Sequence, residues 1–231
     1  MLKDIWKSHK RICIILIILL AIGVIFFLFN LNSKENFVTS EKIEVDEKEF
    51  KSKYEELNDV VNEEGKKYPV VKIPANNNIK YKEINQIVDI FENNKDAVIY
   101  FGYPECVYCR SAVQVLFDIA KDTELDTINY LEIKDDTNYD EIMKYLGNEF
   151  ITTDNNKRTI YSPLVLFVVN GDVVSYNKGT LFSQTDPYVE LDNDQKFGLS
   201  EIYKYGINDV LTSIRLKSIN PVTGVIESNN S

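Results

Sequence analysis

The stretch Ala97-Val-Ile-Tyr-Phe-Gly-Tyr-Pro-Glu-Cys-Val-Tyr-Cys-Arg110 decides the fold. Its first five residues, AVIYF, are apolar without a break, as in a strand buried on both faces. Gly102-Tyr103-Pro104-Glu105 then interrupts the strand, and Cys106 opens a segment predicted to be helical to about Lys121. A Cys-x-x-Cys pair at a strand-to-helix junction is the context of a redox dithiol. A thiolate at a helix N-terminus is stabilised by unpaired backbone amides and by the helix dipole. A second sulfur one turn later can displace a mixed disulfide while remaining shielded. Cys106 is therefore read as the exposed nucleophile and Cys109 as the resolving thiol. Val107 and Tyr108 between them fix the geometry of the ring and so its potential. Glu105 disfavours a thiolate at Cys106 and Arg110 favours one, with a net effect that sequence does not sign.

The rest of the composition narrows the chemistry. The chain has 231 residues, 26 basic and 36 acidic, with three cysteines and one histidine, His9. A lone histidine near the N-terminus leaves no Ser-His-Asp triad or Cys-His pair around Cys106. Zinc bound by Cys106 and Cys109 would need two further ligands, and the segment after residue 29 has no other Cys or His. Only a site completed by carboxylates remains formally open. No metal is expected, and no cofactor beyond the Cys106–Cys109 disulfide itself. Asp192-Asn-Asp194 hints at calcium but lacks the glycine and distal glutamate of the helix–loop–helix motif. The net charge of −10 argues against a nucleic-acid partner.

Toward the N-terminus, Ile12–Phe29 is an uncharged apolar run, long enough as a helix to span roughly 27 Å. Lys3, Lys7, Lys10 and Arg11 precede it against one acid, Asp4, so residues 1–11 are predicted to stay cytoplasmic. The run leaves through Phe-Leu-Phe-Asn-Leu-Asn without a small-residue cleavage site, which favours an uncleaved anchor over a signal peptide. Cys13 lies inside it as apolar filler. The exported remainder carries 22 basic and 35 acidic residues, read as solvated surface. Residues 30–67 are read as a tether with an amphipathic helix. Asp46 and Glu49 form its capping box, Phe50, Tyr54, Leu57 and Val61 its apolar stripe, docked on the following domain, and Gly65 its stop.

The globular part is expected over 68–217, with a flexible tail at 218–231. Short extended pieces at Tyr68–Ile73 and Ile79–Tyr81 precede a helix carrying Ile84, Ile87, Val88 and Phe91. After the cysteine helix come a strand at Asn129–Ile133 and a helix at Tyr139–Leu146. Gly147–Arg158 is expected to be loop. Leu164–Val169, Asn170-Gly171 and Asp172–Tyr176 read as a hairpin, Phe182–Phe197 as a long connector and Leu199–Ile214 as the last helix. The order gives an α/β domain with a mixed four- to five-stranded sheet flanked by helices.

On these residues, about Ile79 to Ile214 resembles a thioredoxin-fold domain. YFGYPECVYCR more narrowly resembles the membrane-anchored thioredoxin-like proteins of Gram-positive bacteria, including bacteriocin transport accessory proteins. Ser162-Pro163-Leu-Val-Leu-Phe-Val-Val-Asn-Gly171 is similar to the family's cis-proline loop, strand and hairpin, and Gly179-Thr180 to its closing segment. The resemblance implies that Ser162 and Pro163, with a cis bond between them, lie against the cysteines and bind substrate, with Tyr108 beside them. It departs from thioredoxins proper in Glu105 before the pair, in Val-Tyr between the cysteines, and in Tyr100 where thioredoxins bury an acid.

Two functions follow. The first is a single-pass, membrane-tethered extracytoplasmic thiol-disulfide oxidoreductase. Its substrates would be secreted or cell-surface proteins or peptides, served by a membrane redox partner, with the direction of electron flow left open. The second is a non-catalytic accessory subunit of an export system that uses the same groove without turnover.

Overall fold

The computed structural model describes residues 44–154 and 157–219. The segment 1–11 expected to be cytoplasmic, the expected anchor 12–29 and the first part of the expected tether lie outside the described residues. So does the tail beyond Ile219; Ser218 and Ile219 close the last helix. Among the described residues no helix is long and apolar enough to cross a membrane. The chain divides into two compact units, 1–45 and Asp46–Ser231, and the second holds nearly all that is described.

The order is α1 (44–55), β1 (Ile79–Tyr81), α2 (Ile84–Glu92), β2 (Ala97–Gly102), α3 (Val107–Asp122), β3 (Ile128–Glu132) and α4 (Asp140–Met143). Then come a single 3₁₀ turn, β4 (Ile151–Asp154), β5 (Lys157–Ile160), β6 (Leu164–Val169), β7 (Asp172–Lys178) and α5 (Asn193–Ile219). Five strands make one mixed sheet in the order β1-β3-β2-β6-β7. β1, β3 and β2 run parallel, and β6 and β7 run antiparallel to their neighbours. This is the expected α/β class with a mixed sheet.

β2 is the central strand and is buried along its whole length, as its unbroken apolar run requires. Val98 and Tyr100 face one core with Phe50, Leu116, Phe167 and Tyr203. Ala97, Ile99 and Phe101 face the other with Ile87, Leu131, Ile142 and Leu164. Successive strand residues point to opposite faces, so one strand feeds both cores. At Asn170-Gly171 both residues have positive φ, 53° and 78°, the backbone of the two-residue hairpin turn predicted there.

Four expectations need correction. The segment 147–158 is not loop: β4 and β5 pair antiparallel from Ile151–Ile160 to Asp154–Lys157, anchored by buried Phe150 and Ile160. β-Branched residues face each other across that ladder, Ile151 opposite Ile160 and Thr152 opposite Thr159, and the polarity of the segment concealed it. The last helix starts at Asn193, where Asp192 and Gln195 cap each other: the Asp192 carboxylate accepts from the Gln195 amide at 2.8 Å. The acidic cluster there is a helix start. Tyr68–Ile73 forms no strand of the sheet.

The fourth concerns α1. Residue 44 is already helical, so Asp46 is not its cap. Asp46 accepts instead from the Tyr81 amide at 3.1 Å, and Glu47 from the Asn78 amide at 2.8 Å. The helix ends near residue 55, with Asp59 at φ 62° in the turn that follows, well before Gly65. Phe50 and Tyr54 are fully buried, so the stripe docks as expected, although Val61 is exposed. Residues 46–67, assigned to the tether by sequence, lie within the compact unit.

Candidate active site

β2 delivers the chain to the site and α3 begins there. Cys106 is the N-cap of α3, with extended backbone (φ −73°, ψ 110°), and its sulfur accepts the Cys109 amide at 3.2 Å. The Cys106 amide is itself held by the Tyr103 carbonyl at 3.3 Å. The sulfur thus occupies the place where a helix presents free N–H groups. Both cysteines are free thiols. Cys106 is 9% exposed and Cys109 is 0% exposed, so the first sulfur is the one within reach of an outside disulfide.

The Ser162–Pro163 bond is cis, as the resemblance implied. The Cys106 thiol points at the Ser162 carbonyl, 3.9 Å away, so strands β2 and β6 bring together two segments 56 residues apart. The Pro163 carbonyl accepts the Gly179 amide at 2.7 Å, which ties the end of β7 to the same loop. Beside it runs an open groove of about 560 Å³ lined by Tyr108, Tyr161, Pro163, Lys178, Leu181 and Phe182. Phe182 is fully exposed on its lip. The groove wall is fastened by Gln184, which donates to the Ser111 hydroxyl of α3 at 3.2 Å and to the Val189 carbonyl at 3.2 Å.

Burial pushes the Cys109 thiol well above its ordinary value, and the adjacent Cys106 sulfur adds to the effect. The backbone of Tyr103 and the Tyr100 hydroxyl pull in the opposite direction. The Tyr100 hydroxyl fills the space that a side chain on Gly102 would take, 2.5 Å from where that Cβ would stand. It also lies 3.0 Å from the Tyr54 hydroxyl, and the Tyr130 hydroxyl donates to the Gly102 carbonyl at 3.1 Å. Glycine at 102 is what lets this phenol reach the cysteine end of the strand.

Glu105 is exposed at the mouth. Arg110 is not: its side chain is buried. Its guanidinium donates to the carbonyls of Pro69 (2.8 Å), Tyr54 (2.8 Å) and Pro104 (3.3 Å) and to the Asn58 side chain (2.6 Å). The role expected for Arg110, favouring the thiolate, gives way to that of a clamp between α1 and α3. Four of its five N–H donors meet neutral acceptors, which a charged fork suits. Sequence reasoning put Tyr54 on the docked apolar stripe without linking it to the site, and missed Asn58 and Gln184. For Tyr54 a signal existed, since it sits four residues after Phe50 on the apolar stripe.

No family model matches the chain, and no curated protein matches it. Among solved structures, the chain is similar to thioredoxin O2 from Arabidopsis thaliana in its oxidised state, at 14% identity and a TM-score of 0.31. The alignment covers 63% of this chain and 93% of that one. A likeness at that level carries no chemistry across, and the site stands on its own geometry.

Proposed function

We propose that this chain is a thioredoxin-like thiol-disulfide oxidoreductase, tethered to the cell membrane by residues 12–29 and acting outside on exported proteins or peptides. The observation that supports the reading is one juxtaposition. A free thiol caps the N-terminus of α3, its partner thiol lies buried one turn on, and the Ser162 carbonyl of the cis-proline loop stands 3.9 Å from the first sulfur. Cys106 attacks a substrate disulfide, a mixed disulfide forms, and Cys109 displaces the substrate thiolate. Run backward, the same steps oxidise a substrate dithiol. Ser162, Pro163 and Tyr108 would hold the substrate segment in the groove beside Cys106. The resemblance of YFGYPECVYCR to the bacteriocin transport accessory proteins supports an export-linked substrate within this reading.

The test is thiol trapping. Cys109→Ala expressed in cells should accumulate mixed disulfides through Cys106, and the purified chain should exchange with a model disulfide. Cys106→Ser should abolish both. If the Cys109→Ala chain traps nothing and the purified chain neither reduces nor oxidises a disulfide, the accessory-subunit reading replaces this one. Membrane placement is checked separately: a membrane-impermeant alkylating reagent should label Cys106 in intact cells, and alkaline washing should leave the chain in the membrane.

A further inference from the structure

Core packing does not account for Phe182. Its ring stands on the lip of the groove beside Cys106, more exposed than any other large apolar side chain among the described residues. The segment that presents it is pinned. The Gln184 side chain is buried; its oxygen accepts from the Thr180 hydroxyl, and its nitrogen donates to the Ser111 hydroxyl and the Val189 carbonyl. The Gln184 backbone amide closes a turn onto the Leu181 carbonyl at 2.9 Å. A ring held out on a fixed turn gives up little freedom when a second apolar surface covers it. The groove volume of about 560 Å³ lies within the ordinary range of ligand sites. Lys178 is the one charged side chain among the described residues of its lining. Its ammonium stands 5.0 Å from the Tyr161 ring centroid and donates to the Glu149 carbonyl at 3.3 Å, so two N–H donors remain for an anion. The backbone there suits polypeptide. Gly179 bonds to Pro163 across the ladder, so the next pair, Leu164 and Lys178, is a non-bonded one. The Lys178 N–H and C=O therefore point outward from the sheet, where an extended chain can take both.

We propose that the groove selects extended polypeptide in which a large apolar side chain, set within a few residues of the cysteine, packs on Phe182 while a neighbouring carboxylate reaches Lys178. The inference rests on the oxidoreductase reading and names the substrate class of that same site. In the reaction it serves, the Cys106 thiolate attacks a peptide disulfide. The Cys106–peptide bond forms, the peptide S–S bond breaks, and the electron pair leaves on the first peptide sulfur, which takes a proton. Cys109 gives its proton to solvent and attacks the Cys106 sulfur. The Cys106–Cys109 bond forms, and the second peptide sulfur leaves and is protonated. The two cysteines are oxidised and the disulfide is reduced to two thiols. Phe182 and Lys178 take no part in these bonds. They touch the flanks of the substrate and set which disulfide is held long enough to react.

The experiment uses the full chain in detergent with Cys13→Ser, reduced and mixed with symmetric disulfides of short cysteine peptides, release of peptide thiol being followed by chromatography. The parent peptide is serine and glycine around the cysteine. In the others one phenylalanine is moved stepwise along either side, with glutamate or lysine next to it. At least one placement of phenylalanine should raise the second-order rate constant roughly tenfold over the polar peptide, and Phe182→Ala should cut that gain to about threefold or less. Glutamate beside the phenylalanine should exceed lysine by about threefold at low salt, and Lys178→Gln should remove the difference. Tyr205→Ala, which trims an exposed ring outside the groove lining, should keep both preferences. Phe182 and Lys178 are exposed, so neither replacement disturbs the core. The proposal is overturned if the polar peptide reacts as fast as every phenylalanine peptide, if the gain survives Phe182→Ala, or if lysine does as well as glutamate. It is also overturned if hydroxyethyl disulfide oxidises the chain and no peptide does. Failure of the peptides and of hydroxyethyl disulfide alike would instead sink the oxidoreductase reading.

Discussion

Replacing Arg110 by alanine tests the clamp between α1 and α3. The side chain is buried and serves four acceptors, two of them fully enclosed: the Tyr54 carbonyl at 2.8 Å and the Pro104 carbonyl at 3.3 Å. Truncation leaves those two carbonyls without a donor, at about 1–3 kcal/mol each, with the longer bond at the low end. The Pro69 carbonyl and the Asn58 side chain are only part-buried, so water replaces the lost donor there at small cost. Relief of the desolvation that the guanidinium itself suffers, seen in its lowered pKa, subtracts from the sum. A loss of about 3 kcal/mol is expected, equivalent to a fall of roughly 6–12 °C in Tm for a domain of this size. Urea unfolding of the reduced chain, followed by far-ultraviolet circular dichroism, measures it. Arg110→Lys should recover less than half of the loss, since one ammonium cannot span the four acceptors. If Arg110→Ala unfolds within about 0.5 kcal/mol of the parent while its first thiol reaction slows, Arg110 acts on the thiolate after all and the clamp argument fails.

Three other outcomes can be checked. Gly206→Ala would ordinarily gain about 1 kcal/mol within a helix, but its Cβ would stand 2.2 Å from the Phe167 ring. Thermal unfolding should therefore show a net loss, and adding Phe167→Leu should restore much of it. Phe50→Ala should cost about 3–5 kcal/mol in urea, because Phe50 is fully buried against Tyr54, Phe117 and Tyr130; a cost below about 1 kcal/mol would mean that α1 is not part of the core. The third concerns pH. The folded Cys109 thiol titrates above the ordinary 9.0, so the unfolded chain releases its proton first as pH rises. The contribution is intact below pH 9 and is lost above it, at up to about 1.4 kcal/mol per pH unit. Cys109→Ser should flatten that decline, and an unchanged slope between pH 9 and 10 would contradict the assigned burial effect.

The central part of this architecture was legible because it is written in local signals. An unbroken apolar run gave β2, Asn170-Gly171 gave the hairpin, and Cys106 fell where β2 gives way to α3. What escaped was decided by distant partners. Arg110 is one residue from Cys109 in sequence, and proximity alone suggested an electrostatic role. Its donors are claimed instead by carbonyls up to 56 positions away, which no local pattern announces. Tyr54 was recognised as apolar stripe, but that its hydroxyl meets Tyr100 depends on how α1 crosses the sheet. The hairpin of β4 and β5 was hidden for another reason. Its strands are short and polar, and only Phe150 and Ile160 at its base are buried.

Asp46 and Glu47 have a consequence beyond seating a helix. β1 is one of the two outermost strands of the sheet, and an outermost strand offers its outward backbone groups to any passing chain. Here the carboxylates of α1 take the amides of Asn78 and Tyr81, so the protein answers its own border with negative charge. A foreign strand would have to displace both acids and the helix that carries them. Of the two borders, only β7 remains open to a neighbour among the described residues, and it adjoins the groove beside Cys106. Self-association along the β1 side is guarded against, while the side near the thiols stays available to visiting polypeptide.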